Sequence, residues 1–312
     1  GSDTLAAHDD RAAHLAKADL VTGMVGEFPE LQGTMGRYYA LNDGLGHEIA
    51  DAIEDHYKPR FAGDTLPRSR TGMAVALADK LETLGGLFAI GQLPTGDRDP
   101  FALRRHALGI VRMLIEEDLP LSLRELIAES LGLFPQATDQ TTVQLTDFIY
   151  ERLAGSLREQ GYSAQEVDAV LALRPQRLGD VVKRLAAVRA FAALPEAPAL
   201  AAANKRIGNI LKKAEGGAVD PHVSEILLKE PAEQALFARM RDVTPRAGKQ
   251  FEAGDYTASL QTLAALRAPV DAFFDDVMVN AEEADLRLNR LGLLSTLHHA
   301  MNRVADLSRL AT

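Results

Sequence analysis

The groups in this chain able to do chemistry are eight histidines, scattered carboxylates and several clusters of lysine and arginine. His, Asp and Glu hold a divalent ion only when they converge. None of the histidines (His8, His14, His47, His56, His106, His222, His298, His299) falls in an H-E-x-x-H pair. His298 and His299 are adjacent, so on a helix they point about 100° apart and cannot readily share a metal. Two carboxylates stand out, Asp43 in "YYALNDG" and Asp79 in "ALADKLETL". Without imidazoles beside them they make a weak transition-metal site. Asp79 lies in an apolar stretch, and a buried carboxylate needs partners, so an ion pair with Lys17 or Arg37 is expected. There is no phosphate loop of the Walker or dinucleotide type and no G-x-S-x-G elbow. No catalytic residue and no resident metal are therefore expected.

The cationic clusters carry more. Residues 156–213 hold ten Lys/Arg against five Asp/Glu, inside a chain of net charge −10. That overall charge argues against a general nucleic-acid binder. The local excess reads either as solvated helix faces or as a polyanion contact. In "NKRIGNILKK", Lys205 and Arg206 precede Lys212 and Lys213 by about two helical turns, and Asn204 and Asn209 add polar reach. In "DPFALRRHALGIVR", Arg104, Arg105 and Arg112 follow a helix start, where phosphate is attracted although Asp99 competes. Arg287 and Arg290 share a helix face with Asn289 between them. They either meet RNA or pair with Asp275, Asp276 or Asp285. Residues 198–312 carry fourteen Lys/Arg and fifteen Asp/Glu, so any contact there must gather a few cations on one face.

The elements that must position these groups are helical. Helical periodicity recurs almost throughout the 312 residues, no clear strand pattern appears, and aromatics are only 5%. Helices are expected over Ala6–Val25, over "FPELQGTMGRYYAL" from Pro29 to Asn42-Asp43-Gly44, over "HEIADAIEDHYKPRF" to Pro59, and over "MAVALADKLETLGGLFAIG". Gly85-Gly86 in the last suggests either close packing against a neighbour or a weak point. Asp99 and Ser122 are expected to cap the helices that follow them, with Pro100 in a first turn, and Ser163…Glu166 forms a capping box. Arg174-Pro175 breaks the pattern. The Pro/Ala-rich "PEAPALAAANKR" marks a domain boundary, and "GGAVDPH" and "RAGKQFEAGDY" read as loops. A final helix aligns Leu291, Leu294, Leu297, Met301, Val304 and Leu307 on one face. Cysteine is absent, no apolar run of about 18 residues exists, and no signal peptide opens the chain. A cytoplasmic protein without a membrane span is expected. The Gly1-Ser2 start, without Met, suggests a piece of a longer chain.

Two resemblances sharpen this reading. Asn42-Asp43 followed by "LADKLETL" resembles the HD superfamily of phosphohydrolases, with Asn42 where that family has His, Asp43 and Asp79 as its aspartates, and His14 or Lys17 near the earlier ligand position. Asn is a poor replacement for an imidazole, so these positions read as degenerate. Five longer segments extend the comparison: "KADLVTGMVGEFPELQGTMGRYYALNDG", "HYKPRFAGDTLP", "ALADKLETLGGLFAIGQLPTGDRDPFALRR", "ALAAANKRIGNILKK" and "VDAFFDDVMVNAEEADLRLNRLGLL". In order, they are similar to the C-terminal part of the β subunit of bacterial two-subunit glycyl-tRNA synthetase. That resemblance implies an all-α fold: an HD-like domain over 3–118, a helical connector over 119–197, and a DALR-like anticodon-binding bundle over 198–312. It implies that the chain holds glycine tRNA in an α2β2 assembly, while a separate α subunit binds ATP and Mg and makes glycyl-adenylate. Lys205, Arg206, Lys212, Lys213, Arg287, Asn289, Arg290, Arg104 and Arg105 are the expected tRNA contacts, with the last two facing the acceptor stem or the α subunit. The alternatives are an HD-type metal phosphohydrolase and a helical protein-assembly module.

Overall fold

The computed structural model describes residues 2–214 and 219–311. Among them there are helices, turns and two isolated bridges, Thr95 with Arg98 and Ser122 with Arg177, but no strand. The chain divides into two compact units, one of residues 1–156 with 176–179, the other of 157–175 with 180–312. The stretch read as a connector is shared between them.

The first unit contains α1 (Ser2–Leu15), α2 (Gly23–Glu27), α3 (Thr34–Asn42), α4 (His47–Asp55), α5 (Arg70–Ala89), α6 (Leu103–Glu116), α7 (Leu123–Gly132) and most of α8 (Asp139–Glu159). The expected helix over 6–25 is interrupted. After Leu15 the chain makes a 3-10 turn over Ala18–Val21, and extended Thr22 caps α2 by accepting from the Val25 N–H. Pro29 likewise opens only a 3-10 turn, and α3 starts after Gly33, whose φ of 81° suits glycine. The buried Asp19 carboxylate accepts from the N–H groups of Gly33 (2.7 Å) and Gly36 (3.0 Å) and so closes the start of α3. Small residues on α1, α3 and α4 (Ala12, Ala40, Ala50, Ala52), with Ala16 just after α1, let these helices meet around Ile49, Ile53 and Val75.

α5 is capped by Ser69, whose hydroxyl accepts from the Gly72 N–H, and it packs closely at Gly85-Gly86 as expected. A Cβ at Gly85 would lie 2.1 Å from Ser130 Oγ of α7, and one at Gly86 3.0 Å from the Phe134 ring. α6 begins later than expected. Pro100 lies before the helix, and Asp99 reaches forward to accept from the N–H groups of Leu103 (2.8 Å) and Arg104 (2.9 Å).

The second unit contains α9 (Ala164–Leu171), α10 (Asp180–Ala192), α11 (Ala197–Lys213), α12 (Pro231–Glu252), α13 (Tyr256–Leu263), α14 (Arg267–Asp276) and α15 (Ala284–Met301). The Ser163–Glu166 capping box is present in both directions. Of the Pro/Ala-rich stretch read as a domain boundary, the part from Ala197 onward is helical and forms α11, with Glu196 preceding its first turn. "RAGKQFE", read as a loop, continues α12 through Pro245, and the chain turns only at Gly254, where φ is 77°. Of "GGAVDPH", Gly216, Gly217 and Ala218 lie outside the described residues. The apolar stripe of α15 is buried, yet the helix stops at Met301; Val304 follows in a turn and Leu307 in a 3-10 helix, both still in the core. Among the described residues no single helix is long and apolar enough to cross a membrane.

Candidate nucleic-acid interface

In the second unit α11 is amphipathic in a way that sorts its polar residues. Leu200, Ala201, Ala203 and Ile207 face inward, and Asn204 joins them with no exposure at all. Its amide exchanges two hydrogen bonds with Asn302, at 2.8 and 2.9 Å. Asn204 is therefore part of the scaffold and does not reach outward as expected. The opposite face presents Lys205, Arg206, Asn209, Lys212 and Lys213 to solvent. Lys205, Asn209 and Lys212 line a depression of about 960 Å³, together with His298 and His299 of α15 and Arg309. A shallower one of about 340 Å³ adjoins it, lined by Lys205, Arg206, Asn209 and Lys213. Among the described residues none of the four cations forms an ion pair, so their charge is available to a ligand. The Arg206 guanidinium stacks 4.2 Å from the centroid of the Phe274 ring, which fixes it in place. Burial holds His298 below the ordinary imidazole value, so it enters the groove neutral.

The α15 expectations are corrected by burial. Arg290 is 5% exposed. It donates through Nε to Glu233 Oε2 at 3.0 Å and through Nη1 to the Met278 carbonyl at 2.7 Å. Its partner is thus Glu233 on α12, not RNA and not Asp275, Asp276 or Asp285. Glu233 is fully buried. Burial alone would raise its pKa, but Arg290 and the N–H groups of Glu230 and Lys229 bring it below the usual range. Asn289 accepts from the Ser224 N–H at 2.7 Å and donates to the Ser224 carbonyl at 3.1 Å, so its amide edge is also occupied. Arg287 is half-buried and donates to the Ala281 carbonyl at 2.8 Å. A sequence identifies these as polar residues on one helix face, but it does not say that the face is turned inward.

In the first unit Asn42 and Asp43 close α3 in solvent and line neither depression beside Asp79. Asp79 instead receives the Lys17 ammonium at 2.9 Å, one of the two partners expected; Arg37 pairs with Asp51 at 2.6 Å. Lys17 also donates to His56 Nε2 at 3.2 Å, while His56 Nδ1 donates to the Ile53 carbonyl at 2.6 Å. Burial holds His56 below its ordinary value, and the Lys17 and Lys80 charges push the same way, so the ring is neutral. Among the described residues no three His, Cys, Asp or Glu side chains converge as a metal site. The α6 start offers no open anion position either, because Asp99 occupies its first N–H groups. Arg104 is half-buried and donates to the Gly96 carbonyl, and only Arg105 of the pair is exposed.

Comparison with known proteins agrees with this geometry at two levels. Residues 200–307, which include most of α11 with its four exposed cations and all of α15, match the DALR anticodon binding domain. The class is thus that of helical tRNA-synthetase accessory domains. Residues 2–172 match the glycyl-tRNA synthetase beta subunit, and the chain belongs to that family. Its relatives include the glycine–tRNA ligase beta subunits of Polaromonas naphthalenivorans (74% identical over 99% of this chain), Paracidovorax citrulli (73% over the whole chain) and Dechloromonas aromatica (67% over the whole chain). This chain covers 43–44% of each of those proteins, less than half their length.

Proposed function

We propose that this chain is the tRNA-holding part of the β subunit of a glycine–tRNA ligase. It grips glycine tRNA while a separate α subunit, binding ATP and Mg, activates glycine and transfers it. An α2β2 assembly and a cytoplasmic location go with this reading. The supporting observation is the exposed face of α11. Four cations without ion-pair partners among the described residues lie along two adjoining depressions, inside the segment that matches an anticodon-binding domain. In a chain of net charge −10, such a stripe is where a polyanion can be held. Single-stranded tRNA loops are recognised by a few phosphate contacts together with stacking on aromatic or guanidinium planes, and the Arg206–Phe274 pair supplies such a plane. Phosphohydrolase chemistry is not favoured, since Asp79 holds an ammonium and neither Asn42 nor Asp43 lines the depressions beside it.

Filter binding of glycine tRNA tests the proposal. Replacing Lys205, Arg206, Lys212 and Lys213 together by Ala is expected to weaken binding severely while leaving the helix content unchanged. Unaltered affinity would remove α11 from the interface.

A further inference from the structure

A second cationic depression, in the first unit, plays no part in that proposal and is independent of it. α5 and α6 pack closely there. Lys80 of α5 runs its methylenes over Gly109 of α6, where a Cβ would lie 2.9 Å from Lys80 Cε and 3.1 Å from Cδ, with Pro59 alongside. The lysine is 2% exposed. Among the described residues its ammonium meets one acceptor, the His56 carbonyl at 3.2 Å, and forms no ion pair. An ammonium can donate three hydrogen bonds, so a buried one with a single neutral acceptor is under-satisfied. The atoms around it form the wall of a depression of about 510 Å³. Arg105 of α6 lines the same wall, exposed and with no side-chain partner among the described residues. His106 lines it too; burial and the neighbouring Lys80 charge hold it below the ordinary imidazole value, so it is neutral and keeps one N–H to donate. The remaining charges are already matched or peripheral. Lys17 is paired with Asp79 and Arg60 with Asp64, both at 2.9 Å, and Glu82 is exposed.

We propose that this depression binds a phosphate monoester, whose dianion sits between the Lys80 ammonium and the Arg105 guanidinium. The charge argues for it: two cations lack counter-charges, and a phosphate monoester brings close to two negative charges and three acceptor oxygens, where a carboxylate brings one charge and two oxygens. The glycine cradle argues for it as well, since only without a Cβ at position 109 can the lysine lie here. The volume exceeds that of a phosphate and falls in the range of small-ligand sites, which leaves room for the group the ester carries. A free mononucleotide and the 5′-phosphate end of an RNA share this chemistry.

Titration calorimetry of the whole chain with 5′-AMP, with adenosine as the uncharged control, tests the site. Saturable binding of AMP but not adenosine is expected, weakened at least tenfold by Lys80→Met and by Arg105→Gln. Arg105 is exposed, so its variant reports on binding even if Lys80→Met fails to fold. No saturation by AMP at millimolar concentration, or equal affinity in the wild type and Arg105→Gln, overturns the proposal. A hexanucleotide RNA bound tenfold better with a 5′-phosphate than with a 5′-hydroxyl assigns the site to an RNA end. Equal binding of the two, beside intact AMP binding, assigns it to free nucleotides.

Discussion

Arg290 and Lys80 are two buried cations with opposite circumstances, and each predicts a measurement. Arg290 is matched by Glu233, and removing one member of a buried pair leaves the other charge stranded. Arg290→Ala is expected to lower stability by about 3–5 kcal/mol in denaturant unfolding. Any loss of tRNA affinity it causes then reflects unfolding, and the folded fraction of that variant is expected to bind like wild type. Lys80 has no such partner. Burial brings its pKa down from 10.5 to about 8. The unfolded chain therefore binds the extra proton between about pH 8 and 10.5, and the cost of keeping Lys80 charged is fully present below that window. Stability is expected to rise with pH across it by roughly 3 kcal/mol, and Lys80→Met is expected to abolish that slope. A variant with an unchanged slope would mean that the lysine is solvated in solution.

At the scale of elements, the close approach of α5 and α7 rests on two glycines. Gly85→Ala would drive its methyl into Ser130 Oγ, which is itself tied to the Leu81 carbonyl at 2.6 Å. Overpacking at such a contact is expected to cost about 1–3 kcal/mol, read as a shifted unfolding midpoint. This contact was legible in the sequence, as were the Ser163–Glu166 box, the Ser122 cap, the break at Arg174-Pro175 and the all-helical class. Each of these depends on residues near one another in the chain or on periodicity. What was not legible depended on distant partners. Asp19 closes α3 from fourteen residues before Gly33, which is why the helix read from Pro29 starts later. "RAGKQFEAGDY" read as a loop, but α12 continues past Gly248 to Glu252 because a glycine inside a helix costs only about 1 kcal/mol against tertiary packing. For the proposed interface, residue type and spacing pointed to the α11 stripe, whose four cations are exposed in the structure. Sorting Asn204, Asn289 and Arg290 away from solvent required partners 57 to 98 residues distant.

For the molecule as a whole, a net charge of −10 repels RNA at long range, so the proposed tRNA affinity must come from local contacts and be sensitive to screening. The logarithm of glycine tRNA affinity is expected to fall linearly with that of salt. Each α11 cation that meets a phosphate contributes roughly 0.7–0.9 to the slope, and the fourfold Ala variant loses that share. A slope that the variant leaves unchanged would place the phosphate contacts elsewhere. The Asn204–Asn302 clasp beneath the stripe bears on how such data are read. It is made of neutral amides, so added electrolyte does not loosen it, and neither acid nor base in the physiological range alters it. The foundation of α11 is thus indifferent to the variable that governs its outer surface, and a salt series reports on adhesion to RNA without also deforming the part that adheres.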